Sequence, residues 1–156
     1  MYLINMRQID KIIIHCTATR ADRPYSARKL AEDHKARGFD GCGYHYFITR
    51  GGNIHSMRPV MRIGAHCAGH NKTSIGIAYE GGLDPEGNPK DTRTPEQKAA
   101  LIRLIKELVI KHNVKIVVGH RELSPDLNAN GIVEPHEWTK LCPCFDASKE
   151  YSYLTK

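Results

Sequence analysis

Ile12-Ile13-Ile14 is an unbroken β-branched run ending at His15, and predicts a strand buried on both faces. Val114 to Val118 repeats the pattern and ends at Gly119-His120. Ser74 to Tyr79 reads Ser-Ile-Gly-Ile-Ala-Tyr, a third central strand in which Gly76 signals close backbone approach. Tyr44 to Thr49 is aromatic and β-branched, and Arg50-Gly51-Gly52-Asn53 turns it into Ile54 to Met57 as a hairpin.

A different period runs from Thr94 to His112. Leu101, Leu104, Ile105, Leu108 and Val109 recur every three or four residues, the apolar stripe of a helix laid on a sheet. Thr94 caps it, Pro95 takes the first helical position, and Gln97 completes a capping box. Ser26 to Arg37 reads as a charged helix with Ser26 as N-cap and Gly38 as its stop, and Asp146 to Leu154 as a short terminal helix. Between Glu122 and Thr139 the chain is polar. Strands alternate with helices without repeats, which predicts an α/β fold, one domain over residues 1–156.

Composition narrows the class. With 40% hydrophobic and 26% charged residues the chain is globular, and no apolar run reaches the ~20 residues of a membrane span, so no membrane insertion is expected. The opening MYLINMRQID carries no charged-then-apolar leader, so synthesis in the cytoplasm without a signal peptide is the expectation. A net charge of +6 favours an anionic partner, nucleic acid or a charged wall polymer among them. Aromatics at 7% and the lack of an aromatic-basic motif leave nucleic acid with net charge alone, and no nucleic-acid partner is expected. Five cysteines cannot all pair internally, which suits free or metal-bound thiols.

Two strands that each end in histidine set up candidate chemistry. Ligands gather at the carboxyl ends of strands in open sheets, so His15 and His120 can converge there. Each could equally be a lone, hydrogen-bonded histidine at a strand end. Cys142 adds a third soft donor, and two His, one Cys and an open position for water form a catalytic zinc arrangement. Cys144, two residues on, could compete for the role. No HExxH and no CxxC pair is present, against a thermolysin-type protease or a zinc finger.

Five segments in order then carry a resemblance: IIIHCTAT, GYHYFITRGG, AHCAGHNKTSIGI, VVGHRELSP and KLCPCFD. Together they resemble the zinc N-acetylmuramoyl-L-alanine amidases, the type shared by phage lysozyme-amidases and peptidoglycan-recognition proteins. The resemblance implies a mixed central β-sheet flanked by helices, with a zinc-bearing groove at the strand ends. It implies hydrolysis of the amide between N-acetylmuramic acid and L-alanine in peptidoglycan and its muropeptides. Matched position by position, His15, His120 and Cys142 are its Zn²⁺ ligands, while Tyr44 and Lys140 are the tyrosine and lysine needed for activity. His66 and Asn71 match positions that line the groove against substrate. His45, next to Tyr44 on a strand, would face the other way and be structural, and the same alternation sets Cys16 apart from His15.

Residues 126–137 stand outside this pattern as a loop insertion. Asp126, Asn128 and Asn130 at positions 1, 3 and 5, Gly131 at 6, the main-chain carbonyl of Ile132 at 7 and Glu137 at 12 fit a Ca²⁺ loop without mismatch. An Asn/Gly-rich surface turn is the plainer reading. Taken together, the expectation is a monomeric endolysin-type amidase acting on the wall after release by lysis or by secretion. A non-catalytic peptidoglycan-recognition module is the alternative, and would be favoured if a zinc ligand were missing.

Overall fold

The computed structural model describes residues 6–156, so the reading of the first residues for a leader lies partly outside them. In chain order the elements are β1 (Lys11–Cys16), β2 (Thr19–Arg20), α1 (Ala27–Ala36), β3 (Tyr46–Ile48), β4 (Ile54–Ser56), β5 (Ser74–Tyr79), β6 (Gly82–Leu83), α2 (Pro95–His112), β7 (Ile116–Gly119) and α3 (Ala147–Tyr151). The main sheet has the order β4-β3-β5-β1-β7. β3, β5, β1 and β7 run parallel, and β4 returns antiparallel to β3 through the expected hairpin. This is the α/β fold that the pattern predicts, and the mixed sheet flanked by helices that the resemblance implies. Among the described residues no helix is long and apolar enough to cross a membrane.

The two-residue period of β1 and β5 decides what each face does. Ile12, Ile14 and Cys16 from β1, with Ile75, Ile77 and Tyr79 from β5, pack into one core with Leu101, Leu104, Ile105 and Leu108 of α2. Each such side chain withdrawn from water contributes ~1.5–3 kcal/mol. Alternation leaves His15, Ser74 and Gly76 on the opposite face, the side that carries α1 and the smaller cluster of Leu30, Cys42 and Phe47.

Local chemistry fixes the helices. Thr94 Oγ1 accepts from Gln97 N at 3.1 Å, and Thr94 N donates to Gln97 Oε1 at 3.0 Å, the reciprocal cap read from sequence. The Gln97 amide also donates to the carbonyls of Ile48 and Glu80, joining α2 to β3 and to the end of β5. Ser26 caps α1 through Lys29 N at 3.0 Å, and Asp146 caps α3 through Lys149 N.

Two expectations shift and one element is new. Tyr44 and His45 precede β3 rather than lying in it, so the alternation argument that separated them does not apply. β7 begins at Ile116, not Val114, and is an edge strand on which Ile116 is exposed. The short second sheet of β2 and β6 was not expected, because two residues per strand leave no periodicity to read.

Candidate active site

Register brings the two histidines level. Ile14 pairs with Gly119 on the neighbouring parallel strand, so the next residue on each chain, His15 and His120, emerges at the same end of the sheet. Their ring centroids lie 4.7 Å apart, and His15 is 1% exposed. Cys142 is delivered by main-chain bonds. Arg121 N donates to the Cys142 carbonyl at 2.8 Å, and Cys16 N donates to Cys142 Sγ at 3.1 Å. The buried Tyr79 hydroxyl holds the next carbonyl, that of Pro143, at 2.6 Å.

One donor atom from each of His15, His120 and Cys142 then lies within 4.8 Å of the others. Tetrahedral zinc at ~2.0–2.3 Å from N and S would want donors ~3.3–3.7 Å apart, so the set fits after a modest contraction. Among the described residues no other His, Cys, Asp or Glu trio is grouped this way, and Cys144 is not a member. Its thiol points to the Gly82 carbonyl at 3.5 Å. Cys16 lies in the α2-side core, and its thiol pKa is raised, chiefly by the hydrogen bond with Cys142.

Tyr44 lies beside His15 of this trio, its ring 5.0 Å from the imidazole. The backbone just before it has no slack, because a Cβ at Gly43 would sit 2.2 Å from the Ala65 carbonyl oxygen. Burial pushes the Tyr44 phenol above its ordinary range, so it is a hydrogen-bond donor at neutral pH. Lys140 is exposed on the rim two residues before Cys142. A groove of about 960 Å³ meets the centre at His120 and is walled also by Arg37, His66, Asn71, Ser124 and Lys140.

Two groove residues are committed to the protein itself. Asn71 Oδ1 accepts from the backbone N–H of His66 at 3.0 Å and of Cys67 at 2.9 Å, fixing that turn. His66 places Nδ1 2.8 Å from His15 Nε2, and its Nε2 lies 3.3 Å from Ser74 Oγ. His45 accepts from Gly76 N at 3.0 Å through Nδ1 and donates to the Arg62 carbonyl at 2.8 Å through Nε2, a structural role as expected from sequence. Burial lowers the pKa of all three rings, to about 3 for His66 and about 4 for His45, and well below the usual range for His15. They are neutral at pH 7. Sequence reasoning missed the His15–His66–Ser74 contact. The one signal for it was Gly76, where a Cβ would meet the His66 ring at 2.7 Å.

Glu122 secures the strand end that carries His120. One carboxylate oxygen accepts from Gly119 N at 3.0 Å and from Ser148 N at 3.1 Å, and burial raises its pKa. Beyond it, the 126–137 loop folds on itself. Asp126 Oδ2 accepts from Gly131 N at 2.7 Å, and Asn128 and Asn130 each accept from the backbone two residues on. Glu137, 2% exposed, accepts from the backbone of Leu127, Asn128 and Glu134. Asp126 Oδ1 is buried without a partner among the described residues.

The family model described as N-acetylmuramoyl-L-alanine amidase matches residues 5–144, a span holding the trio, Tyr44, Lys140 and the loop. The chain belongs to that amidase family. The amidase is 32% identical over 143 residues to an endolysin of Klebsiella phage KP32, covering 92% of this chain and 85% of that protein. It is 31% identical over 140 residues to the endolysin of Escherichia phage T7, covering 90% and 83%. Among solved structures it resembles the endolysin N-acetylmuramoyl-L-alanine amidase LysCS from Clostridium intestinale, with TM-score 0.73 and 27% identity over 95% of this chain and 84% of that one. Amidases of this family are generally zinc-dependent, and the His-His-Cys trio is a metal site of the matching chemistry. The groove is thus that of an enzyme hydrolysing the amide between N-acetylmuramic acid and L-alanine.

Proposed function

We propose that the amidase works through zinc held by His15, His120 and Cys142, with Tyr44 and Lys140 acting on the scissile amide. The supporting observation is the convergence of those three donors beside a groove that His120 and Lys140 line, with the Tyr44 ring against His15. Zinc bound there supplies a water of pKa ~7 and a Lewis acid for the carbonyl. The protein's own groups do the rest. As the carbonyl carbon becomes tetrahedral, the Tyr44 hydroxyl and the Lys140 ammonium donate to the developing oxyanion. The backbone N–H of Cys16 holds the Cys142 sulfur in place. Asn71 holds the turn that forms part of the groove wall, where it would border bound substrate.

The substrate is peptidoglycan, and the endolysin relatives support a wall-lytic enzyme that acts after release. In this reading the enzyme is made in the cytoplasm and works as a monomer with no nucleic-acid partner. The filled donor set favours hydrolysis over a binding-only recognition module. Mass analysis of muropeptides after digestion tests this. New N-terminal alanine amines and intact glycan strands are expected. Cleavage within the glycan, or binding without any cut, would overturn the assignment.

The single domain also carries, in this reading, a Ca²⁺ site in the loop 126–137, formed by Asp126, Asn128, Asn130, the Ile132 carbonyl and Glu137. The motif spacing and the unpartnered Asp126 oxygen support it. With zinc saturating, calcium at a hundredfold excess over Kd is expected to stabilise the fold by ~2.7 kcal/mol, seen as a higher Tm. Asp126→Ala with Glu137→Ala is expected to erase the shift. An unchanged Tm in the parent protein would reduce the loop to a surface turn.

A further inference from the structure

We infer that His66, backed by Ser74, is a positioning residue that locks His15 in the tautomer protonated on Nε2 and leaves Nδ1 as its only metal-binding nitrogen. The assignment follows from counting protons along one chain of contacts. The Ser74 hydroxyl lies 2.7 Å from the His70 carbonyl, which can only accept, so the single hydroxyl proton is spent there. Ser74 Oγ, 3.3 Å from His66 Nε2, is therefore an acceptor, and His66 carries its proton on Nε2. A neutral imidazole has one proton, so His66 Nδ1 is a bare acceptor. The proton in the 2.8 Å contact with His15 Nε2 then belongs to His15.

Packing prevents the chain from reversing. Ser74 is 0% exposed, so no bulk water stands ready to take its place, and only an edge of His66, 9% exposed, reaches the groove. The His66 ring lies against two glycines, and a Cβ at Gly76 or Gly64 would come within 2.7 or 2.8 Å of it. A ring held between those backbones cannot flip to exchange its nitrogens. The two main-chain amides that grip Asn71 Oδ1 fix the turn that carries it. His66 thus contributes to the site from behind the ligand, with both nitrogens occupied, and does not offer itself to substrate. A histidine ligand whose second nitrogen is fixed by a neighbour typically loses ~10–100-fold in metal affinity when that neighbour is removed.

This inference rests on the zinc reading for its consequence but not for its first test. In metal-free protein labelled with ¹⁵N in histidine, long-range proton–nitrogen NMR correlations are expected to show His15 and His66 each protonated on Nε2 and bare on Nδ1. His15 protonated on Nδ1 would overturn the inference whether or not the chain is a zinc enzyme. Chelator competition supplies the second test. His66→Leu is expected to weaken zinc binding ~10–100-fold, and His66→Asn, which keeps an acceptor near the position of Nδ1, to recover most of it. Zinc affinity within twofold of the parent in folded His66→Leu would also overturn it. If that variant fails to fold, the NMR assignment on the unmutated chain decides. Failure of the parent to bind zinc at all would count against the proposed metal centre, while the tautomer measurement would still stand or fall by itself.

Discussion

His15→Ala and His120→Ala are each expected to abolish wall hydrolysis, with a loss of more than ~10³-fold, and to leave the purified protein without stoichiometric zinc. The magnitude follows from what zinc does for water, whose pKa falls from ~15.7 to ~7 when bound, so that hydroxide is abundant at neutral pH only while all donors are present. Two donors rarely hold zinc where three converge. His15 is buried between His66, Tyr44 and His120, so its alanine variant also opens a gap and loses stability. His120, less buried at the start of its turn, is the cleaner substitution. Elemental analysis with a dye-release wall assay checks both variants. Cys144→Ser is expected to keep zinc, because that thiol points at Gly82. A zinc-free protein that still cuts at the parent rate would remove the metal from the mechanism.

The second large effect is expected at Tyr44→Phe and Lys140→Ala. Each keeps the donor trio and the fold, and each removes one donor to the oxyanion, for which ~10²–10³ in kcat, or about 3–4 kcal/mol, is the usual loss. Steady-state kinetics on a soluble muropeptide separate the possibilities. A fall in kcat with KM unchanged matches oxyanion stabilisation. A rise in KM alone would make them substrate-positioning groups, and parent kinetics would take them out of the reaction. Lys140→Arg informs further: it keeps the charge but changes its shape, so partial activity there would mark charge as the working property.

The strongest elements were legible because local and tertiary signals agree in them. Thr94, Pro95 and Gln97 announce the start of α2, and the same Gln97 is the side chain that the fold uses to tie the helix to the sheet. Ile12 to Ile14 reads as a doubly covered strand, and all three side chains are fully buried. His15, His120 and Cys142 could be named because two stand at strand ends and the third follows in a motif. What stayed hidden depends on contacts between distant segments. Tyr44 looks like strand by composition, yet Gly43 is pressed against the Ala65 carbonyl and the regular ladder begins only at Tyr46. His66 matches a groove position and lines the groove, but nothing in its spacing shows that it also meets His15, far away in sequence. Ser74 is one small polar residue at the head of an apolar strand, and its spacing gives no sign of the histidine it meets.

The bond from Arg121 N to the Cys142 carbonyl has a consequence for how much this chain can vary. It pins together the two ends of the segment that separates His120 from Cys142, so that segment is a loop closed at its neck. The Tyr79 hydroxyl on Pro143 and the Cys16 amide on Cys142 hold the neck from the sheet side, independently of what the loop contains. Doubling the length of such a loop adds only ~0.6 kcal/mol of closure entropy. Closure entropy therefore sets little limit on the length of this loop, and what constrains it from inside is its own contacts, Asp126 with Gly131 and buried Glu137 with Leu127, Asn128 and Glu134. The neck holds the donor atoms in place whatever the loop's length, and the loop's residues answer only to the loop's own contacts.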